Sequence, residues 1–453
     1  MNDSIIKLLN LKDEDIENIE SISSFQNEDF LLTLKVKEHI CPNPECGRIT
    51  TKIKDYRVCK ITHKIFVNFH STIYYNKRRY KCNHCGKVFY ENNPFSSNRK
   101  KPSPATIVSI LNDLKPYNST FTSVAKKYNL SVTTIIDIFD KHVQIKRKNL
   151  TEIMCWDEFY FNRHSKHKYS FIMMDFKKKV IIDILESRWS IDLSSYFRNI
   201  PLNEREKVQY IIIDMYLNYK DLAKIFFKKA IVCIDPFHAT KKVNDCLNVI
   251  RKRIMRKYKE DEDSLNYKLL KYHYELLLKN RKELEFEIKR KNSALGYSIT
   301  ERDLVDLILD INPTLRTAYQ LKEKYISFSS IDESEFLGKE SKETELSSII
   351  DAMYGSGIRE MQECARTLKN WKCEIINSFV WVDGRRLSNG PIEGKNTYIK
   401  KIISNANGLN NFERARNKFL YSQNLYDSFS YVENKSKIKR QGAKRGPYQK
   451  KKQ

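Results

Sequence analysis

The sequence predicts a multidomain α/β protein, and three observations predict it. The chain has 453 residues, 41% of them hydrophobic, which is too long for one ordinary domain and apolar enough to bury cores. The apolar pattern changes period along the chain, from alternation before residue 95, through helical spacing over 103–144, to short buried runs mixed with amphipathic stretches from 151. Charge is uneven too. Of a formal net +26, residues 41–150 hold 21 Lys/Arg and 6 Asp/Glu, residues 431–453 hold 9 against 1, and residues 1–40 hold 4 against 9. Two basic segments far apart in the chain read as phosphate-contacting surfaces, because cations that displace condensed counterions drive nucleic-acid binding. The alternative is a solvated surface that keeps the chain in solution.

No run of 18 apolar residues occurs, so no membrane span is expected. The opening MNDSIIKLLNLKDEDIENIE is acidic where a secretory signal is basic and then apolar. Ten cysteines in a long Lys-rich chain point to reduced thiols or a metal site. The expectation is a cytoplasmic protein.

Residues 1–40 read as an acidic N-terminal segment. Residues 41–95 then carry Cys41-x4-Cys46 and Cys82-x2-Cys85, the latter followed by Gly86. Two short Cys pairs can bring four thiolates to one tetrahedral Zn²⁺, with the intervening chain forming hairpin strands, as in a zinc ribbon. Pro42, Pro44 and Gly86 mark exposed turns, a poor setting for unligated buried thiols. Cys59, His63, His70 and His84 are alternative ligands, because the first pair is wider than the usual x2 spacing. The stretch IFVNFHSTIYYNKRRYKC alternates as a strand does, with Lys77, Arg78 and Arg79 just before the second pair.

Residues 101–148 switch to helical spacing: SPATIVSILNDLKPY, a break at 117–119, then TFTSVAKKYNLSVTTIIDIFDKHV. Val124 and Ala125 pack one face, Asn129 takes a left-handed turn and Ser131 caps the next helix. The spacing looks like a helix-turn-helix with 131–141 as the recognition helix, Thr133 and Thr134 facing base edges, and Lys146, Arg147 and Lys148 following. An ordinary helical hairpin is the alternative.

From 151 the order is three strands (EIMCWDEFYF, KYSFIMMDF, KVIIDILES), a helix, the buried strand VQYIIIDMY, a helix, and the buried strand IVCIDPF. A mixed sheet fits, a hairpin meander followed by two right-handed crossovers. The first part of this domain spans 151–240, a charged helical insertion 241–374, and the last part 375–430. Asp157 lies in the first strand, Asp214 ends a buried run, and Glu393 opens a helix in SNGPIEGKNTYIKK. Carboxylates that converge repel one another unless a divalent cation neutralises them. Two Mg²⁺ ions there would serve an in-line phosphoryl displacement. Each residue also has an ordinary reading, as a turn, a cap or a helix-dipole partner.

On CPNPEC, CNHCG, WDEF, IIIDMY, IDPFH, SNGPIEGKNTYIKKI and NANGLNNFERARNKFL, the chain resembles a DDE transposase of a bacterial insertion sequence over roughly residues 41–425. The resemblance implies an RNase H-like catalytic domain behind a zinc ribbon and a helix-turn-helix. It also implies a triad of Asp157, Asp214 and Glu393 holding Mg²⁺ or Mn²⁺, with His238 of Asp235-Pro-Phe-His238 as an active-site neighbour. Such enzymes nick a transposon end with water and then join its 3′-hydroxyl to target DNA. Strand alternation lets only one of Asp157 and Glu158 face the metals, and the resemblance favours Asp157. Asp175 and Asp183 are expected on solvent faces or strand edges. Lys395, Asn396 and Lys400 follow Glu393 and are candidates for phosphate contact, with a solvated helix face as the alternative. Trp189, Trp371 and Trp381 read as core or as base-stacking residues. Residues 431–453 read as a disordered basic tail that contacts DNA. The partners implied are transposon-end DNA, target DNA and further copies of the chain. A DNA-binding regulator or decayed transposase that no longer cuts is the rival reading.

Overall fold

The computed structural model describes residues 11–23, 27–63, 70–95, 102–161, 167–331, 339–406 and 409–423, so the basic segment 431–453 lies outside the described residues. The chain forms two compact units, one of residues 1–146 with 401–453 and one of residues 147–400.

In the first unit, strands β1 (Ile16–Ser23) and β2 (Asn27–Leu34) pair antiparallel, and β3 (His39–Ile40) and β4 (Ile49–Thr50) make a small hairpin. Strand β5 (Ile53–Thr62) runs antiparallel to β6 (His70–Lys81), which also pairs with β7 (Val88–Tyr90) and, in parallel, with β2. The sheet order is β1-β2-β6-β5. The acidic N-terminal segment supplies two of these strands. Its alternation places Ile16, Phe30 and Leu32 inside, while Glu17 and Glu20 are exposed.

Helices α1 (Pro104–Asp113), α2 (Phe121–Tyr128) and α3 (Val132–His142) follow. Each is started by a hydroxyl side chain: Ser103 caps α1, Thr120 and Ser123 form a capping box on α2, and Ser131 caps α3. Asn129 ends α2 at φ 50°, the left-handed geometry that Asn tolerates. Ile110, Leu111, Ala125, Ile135 and Phe139 form the core between them.

The second unit is built on a five-stranded sheet of β8 (Ile153–Tyr160), β9 (Tyr169–Asp175), β10 (Ile181–Leu185), β11 (Tyr210–Ile213) and β12 (Ile231–Ile234), in the order β10-β9-β8-β11-β12. The first three form an antiparallel meander, and β11 runs parallel to both β8 and β12. Ile211, Ile212 and Ile213 are all fully buried, as a strand covered on both faces requires. Between β10 and β12 come α4 (Ser190–Arg198), α5 (Leu202–Arg205) and α6 (Leu217–Phe226). Trp156 stacks on Phe197 of α4 with ring centroids 5.0 Å apart, securing that helix against the sheet.

Asp175 and Asp183 are buried and not on solvent faces, although Asp183 lies in β10, the edge strand of the sheet. Asp183 accepts the Tyr196 hydroxyl at 2.6 Å and Asp175 the Lys178 N–H of a turn at 3.0 Å, so local hydrogen bonds compensate their burial.

After β12 the chain enters the long helix α7 (Pro236–Met255), then α8 (Leu265–Tyr272), α9 (Tyr274–Leu278), a short hairpin of β13 (Arg290–Lys291) and β14 (Ser298–Ile299), α10 (Glu301–Asp310), α11 (Pro313–Ser329), α12 (Lys339–Gly355), α13 (Arg359–Asn370) and α14 (Lys372–Asn377). Their apolar faces continue the sheet's own hydrophobic core, and Trp371 is buried within it. A hairpin of β15 (Trp381–Val382) and β16 (Arg385–Arg386) leads into α15 (Gly390–Ala406). Arg386 is packed on the Phe379 ring, and its Nε and Nη2 donate to the Ser378 carbonyl and hydroxyl at 3.1 and 3.0 Å.

The final helix, α16 (Phe412–Gln423), belongs to the first unit. Tyr421 enters the α1–α3 core and donates to the Leu111 carbonyl at 3.0 Å, and Arg414 pairs with Asp140 at 2.6 Å. Lys418 donates to the Leu114 carbonyl and, at 3.1 Å, to that of Pro116, satisfying acceptors left where α1 ends.

Candidate active site and metal centre

Parallel pairing aligns three aspartates. In the β11–β8 ladder Ile212 is level with Cys155, so two residues further on Asp214 comes level with Asp157. In the β11–β12 ladder Ile213 is level with Ile234, so Asp214 also comes level with Asp235. The Asp235 N–H donates to the Ile213 carbonyl at 2.9 Å, extending that ladder by one step. The carboxylates therefore form a row, with Asp214 and Asp235 at the C-terminal ends of β11 and β12, where open α/β sheets bind ligands, and Asp157 within the neighbouring β8.

Pro236 starts α7 directly after Asp235, and His238 in its first turn faces back to the row. His238 Nδ1 lies 2.9 Å from Asp235 Oδ2 and 3.2 Å from Asp214 Oδ1. Asp214, Asp235 and His238 each offer a ligand atom within 4.8 Å of the others. Carboxylate oxygens with one imidazole make a donor set that suits Mg²⁺ or Mn²⁺.

The row is electrostatically tense. Burial, followed by the neighbouring Asp214 charge, pushes Asp157 up to about 7. Burial likewise pushes Asp214 up to about 6, against the opposing pull of His238 and the Asn389 hydrogen bond. Burial disfavours the His238 cation, but the Asp235 hydrogen bond and the surrounding negative charge outweigh it and raise its pKa.

Glu158 faces the other side of the strand, where Arg188 holds it and Tyr219 donates its hydroxyl at 2.8 Å. Asn396 is buried and donates to Asp157 Oδ2 at 2.6 Å, so its side chain serves a carboxylate and is not displayed to DNA. Glu393 lies outside the group, exposed in the first turn of α15, with its N–H on the Asn389 carbonyl at 3.1 Å. Lys395 is half-buried, which lowers its pKa, and Lys400 is exposed.

Folding adds Asp235 and Asn389 to the residues of this cluster. Asp235 has a signal in the sequence, an acidic residue between a buried run and a helix-starting proline. Asn389 had only its place beside Gly390.

In the first unit, the Sγ atoms of Cys41, Cys46, Cys82 and Cys85 lie within 4.8 Å of one another, with Cys41 to Cys85 at 3.5 Å and Cys46 to Cys82 at 3.8 Å. Four sulfurs about 2.3 Å from one ion sit at such separations, so the cluster could hold Zn²⁺. The Lys87 N–H, helped against burial by side-chain hydrogen bonds from Cys41, Cys46 and Asn43, brings Cys85 down to about 6. An N–H from Asn43 favours the Cys41 thiolate, yet burial and the other three sulfurs push it up to about 12. Thiolates packed this closely repel one another, and a bound cation would offset that repulsion. Among the alternatives, His63 is buried and bonded to Ser103 at 2.7 Å, and His84 lies 3.0 Å from Arg48.

Several expected DNA contacts have other partners. Arg78 is buried beside Glu17 and Glu91, and its main-chain N–H donates to Glu91 at 2.7 Å. Arg79 pairs with Asp55, and Arg147 grips Glu204 in a bidentate pair at 2.6 and 2.8 Å. Lys77 is half-buried over the Tyr90 ring. Thr133 and Lys146 are exposed, Lys148 is half-buried, and half-buried Thr134 shares a hydrogen bond with the Ser131 capping hydroxyl at 2.8 Å. Trp189 is 61% exposed.

Asp214, Asp235 and His238, with Asp157 beside them, are a set of groups that could hold a divalent cation. The chain matches the model of a DDE transposase family over residues 154–419, more than half its length, and belongs to that family. No curated protein matches it. No described helix is long and apolar enough to cross a membrane.

Proposed function

We propose that this transposase binds the terminal repeats of an insertion sequence, nicks the DNA there and joins the freed 3′-hydroxyl to target DNA. The observation that carries this reading is the register-aligned row of Asp157, Asp214 and Asp235 with His238 against it. The strand order β10-β9-β8-β11-β12, an antiparallel meander followed by two parallel strands, supports an RNase H-like core. The left-handed turn at Asn129 between α2 and α3 supports a helix-turn-helix, and the four clustered sulfurs support a zinc ribbon, both as end-recognition modules.

Asp157, Asp214 and Glu393 would hold the divalent cations, with Asp235 and His238 beside them, and bound cations would supply the positive charge that a phosphodiester transition state needs. Asp235 holds the His238 ring through Nδ1, which leaves Nε2 to exchange a proton with a reacting oxygen. In the first step a water oxygen attacks phosphorus and the bond to the 3′-oxygen breaks. In the second that 3′-hydroxyl loses its proton and its oxygen attacks a target phosphodiester, whose bond to the target's own 3′-oxygen breaks, that oxygen leaving as a 3′-hydroxyl. Because two ends must be joined together, a dimer or larger assembly is expected.

A second reading, a DNA-binding regulator or decayed transposase, draws on the exposed position of Glu393 outside the carboxylate group. End-labelled DNA flanking the coding sequence, incubated with protein and Mg²⁺ beside Asp214→Ala, separates the two. Nicks and joined strands that vanish in the variant support the transposase. Binding without nicks supports the regulator.

A further inference from the structure

We infer that Asn389 and Asn396 are positioning residues that hold the aspartate row in metal-binding geometry, an inference that rests on the proposed metal-dependent reading of that site. Asn389 is fully buried just before α15 begins. Its Nδ2 donates to the Trp156 carbonyl at 3.1 Å and to Asp214 Oδ1 at 3.2 Å. Its main-chain N–H points to Asp235 Oδ1 at 3.3 Å, and its carbonyl accepts the Ile392 and Glu393 N–H groups at 3.0 and 3.1 Å. One residue thus joins the chain just before Asp157, the carboxylates of Asp214 and Asp235, and the helix turn that carries Glu393.

Asn396 repeats the device on Asp157. Its Nδ2 donates to Asp157 Oδ2 at 2.6 Å and approaches the Glu158 carbonyl at 3.5 Å, while the Glu158 N–H holds Asp157 Oδ1 at 2.8 Å. Both aspartates on the central strands are therefore gripped from residues 389–396 of one helix start.

The chemistry calls for asparagine at both places. An amide nitrogen carries two protons, so one atom can serve a main-chain carbonyl and a carboxylate together, whereas a hydroxyl has one proton and glutamine is a methylene too long for a fully buried seat. Neither amide can be reversed. Carbonyl and carboxylate oxygens only accept, so an amide oxygen turned toward them would be repelled. In the observed orientation both Oδ1 atoms are buried and meet no donor among the described residues. Leaving two buried acceptors unmatched is costly, and it is tolerated here because the two nitrogens hold like-charged groups in place.

Groups that orient metal-ligating side chains typically change affinity 10- to 100-fold when removed. The test is Mn²⁺ binding to the full-length zinc-loaded chain, read by calorimetry and by loss of the free-ion paramagnetic resonance signal. It compares wild type, Asn389→Leu, Asn396→Leu and Asp214→Asn, each checked by thermal melting. The expected result is a 10- to 100-fold rise in the Mn²⁺ Kd for each Asn variant, with DNA-end binding in the absence of divalent metal unchanged. If Asn389→Leu does not fold, Asn389→Ser and Asn396→Leu carry the test. Folded Asn variants that bind Mn²⁺ as wild type does overturn the inference. Absence of Mn²⁺ binding by wild type overturns instead the metal-dependent reading on which it rests.

Discussion

Asn396 donates to Asp157 across 239 positions of sequence at 2.6 Å, so the start of α15 is fastened to β8. The helices from Pro236 to Asn377 are thus bracketed by two parts of one hydrogen-bonded cluster. They share the sheet's core, which keeps the long excursion from loosening the cluster it interrupts.

The raised pKa values of Asp157, about 7, and Asp214, about 6, have a consequence for stability. Both carboxyls bind protons more tightly folded than unfolded, so their contribution is present at low pH and is lost as pH rises through about 7. His238, also raised, acts in the same direction. Metal-free wild type should lose more stability between pH 5.5 and pH 8 than Asp157→Asn does, and Mg²⁺ should restore more at pH 8 than at pH 5.5. Thermal melts of both proteins across that range check this, and equal slopes would contradict it.

Glu158 and Glu393 should part company when changed to Gln. Glu158→Gln disturbs the contacts of Arg188 and Tyr219 and should cost about 1–3 kcal/mol of stability while nicking persists. Glu393→Gln alters an exposed side chain and should move stability by no more than about 0.5 kcal/mol. Its nicking rate should fall to about one hundredth or less, equivalent to about 2.7 kcal/mol of barrier. Chemical denaturation alongside a nicking assay reads both, and a fully active Glu393→Gln would remove that residue from the triad.

How much of this site was legible is a matter of where each signal lies. Asp214 and Asp235 stand out because each ends an apolar run with a charge, which is locally visible. The paired cysteines announce themselves by spacing alone. Asn389 is one polar residue in a polar stretch, and its partners are 154 to 233 positions away. The strands at 16–34 were hidden because acidic residues interrupt their apolar alternation. Arg78 looked like a DNA contact because Glu17 and Glu91, which neutralise it, lie 61 and 13 positions off. Periodicity reports which face is apolar, and says nothing of partners brought in by folding.

Arg78 and Lys146 therefore should behave differently. Arg78→Ala leaves Glu91 buried without its cation and should cost about 3 kcal/mol of stability. Lys146→Ala should leave stability nearly unchanged and lower the slope of log binding constant against log salt by about 1. Melting and DNA titrations over a salt series distinguish them, and an unchanged slope would place Lys146 off the DNA.

One Zn²⁺ per chain is expected by elemental analysis, falling toward zero in Cys85→Ser. A strong chelator should lower the melting temperature of the first unit, since ligand present at a thousandfold excess over its Kd stabilises by about 4 kcal/mol. Identical melts with and without chelator would mean that the sulfurs carry no structural ion.

The reach of Lys418 to Leu114 and Pro116 bears on the order in which the protein is made. Helix α16 leaves the ribosome only after all of residues 147–400, a delay on the order of tens of seconds at ordinary synthesis rates. Until then α1, α2 and α3 lack Tyr421 in their core and Arg414 beside Asp140. A half-made polypeptide accordingly carries an unfinished first unit, and its three-helix core is complete only once the whole of the second unit has been synthesised.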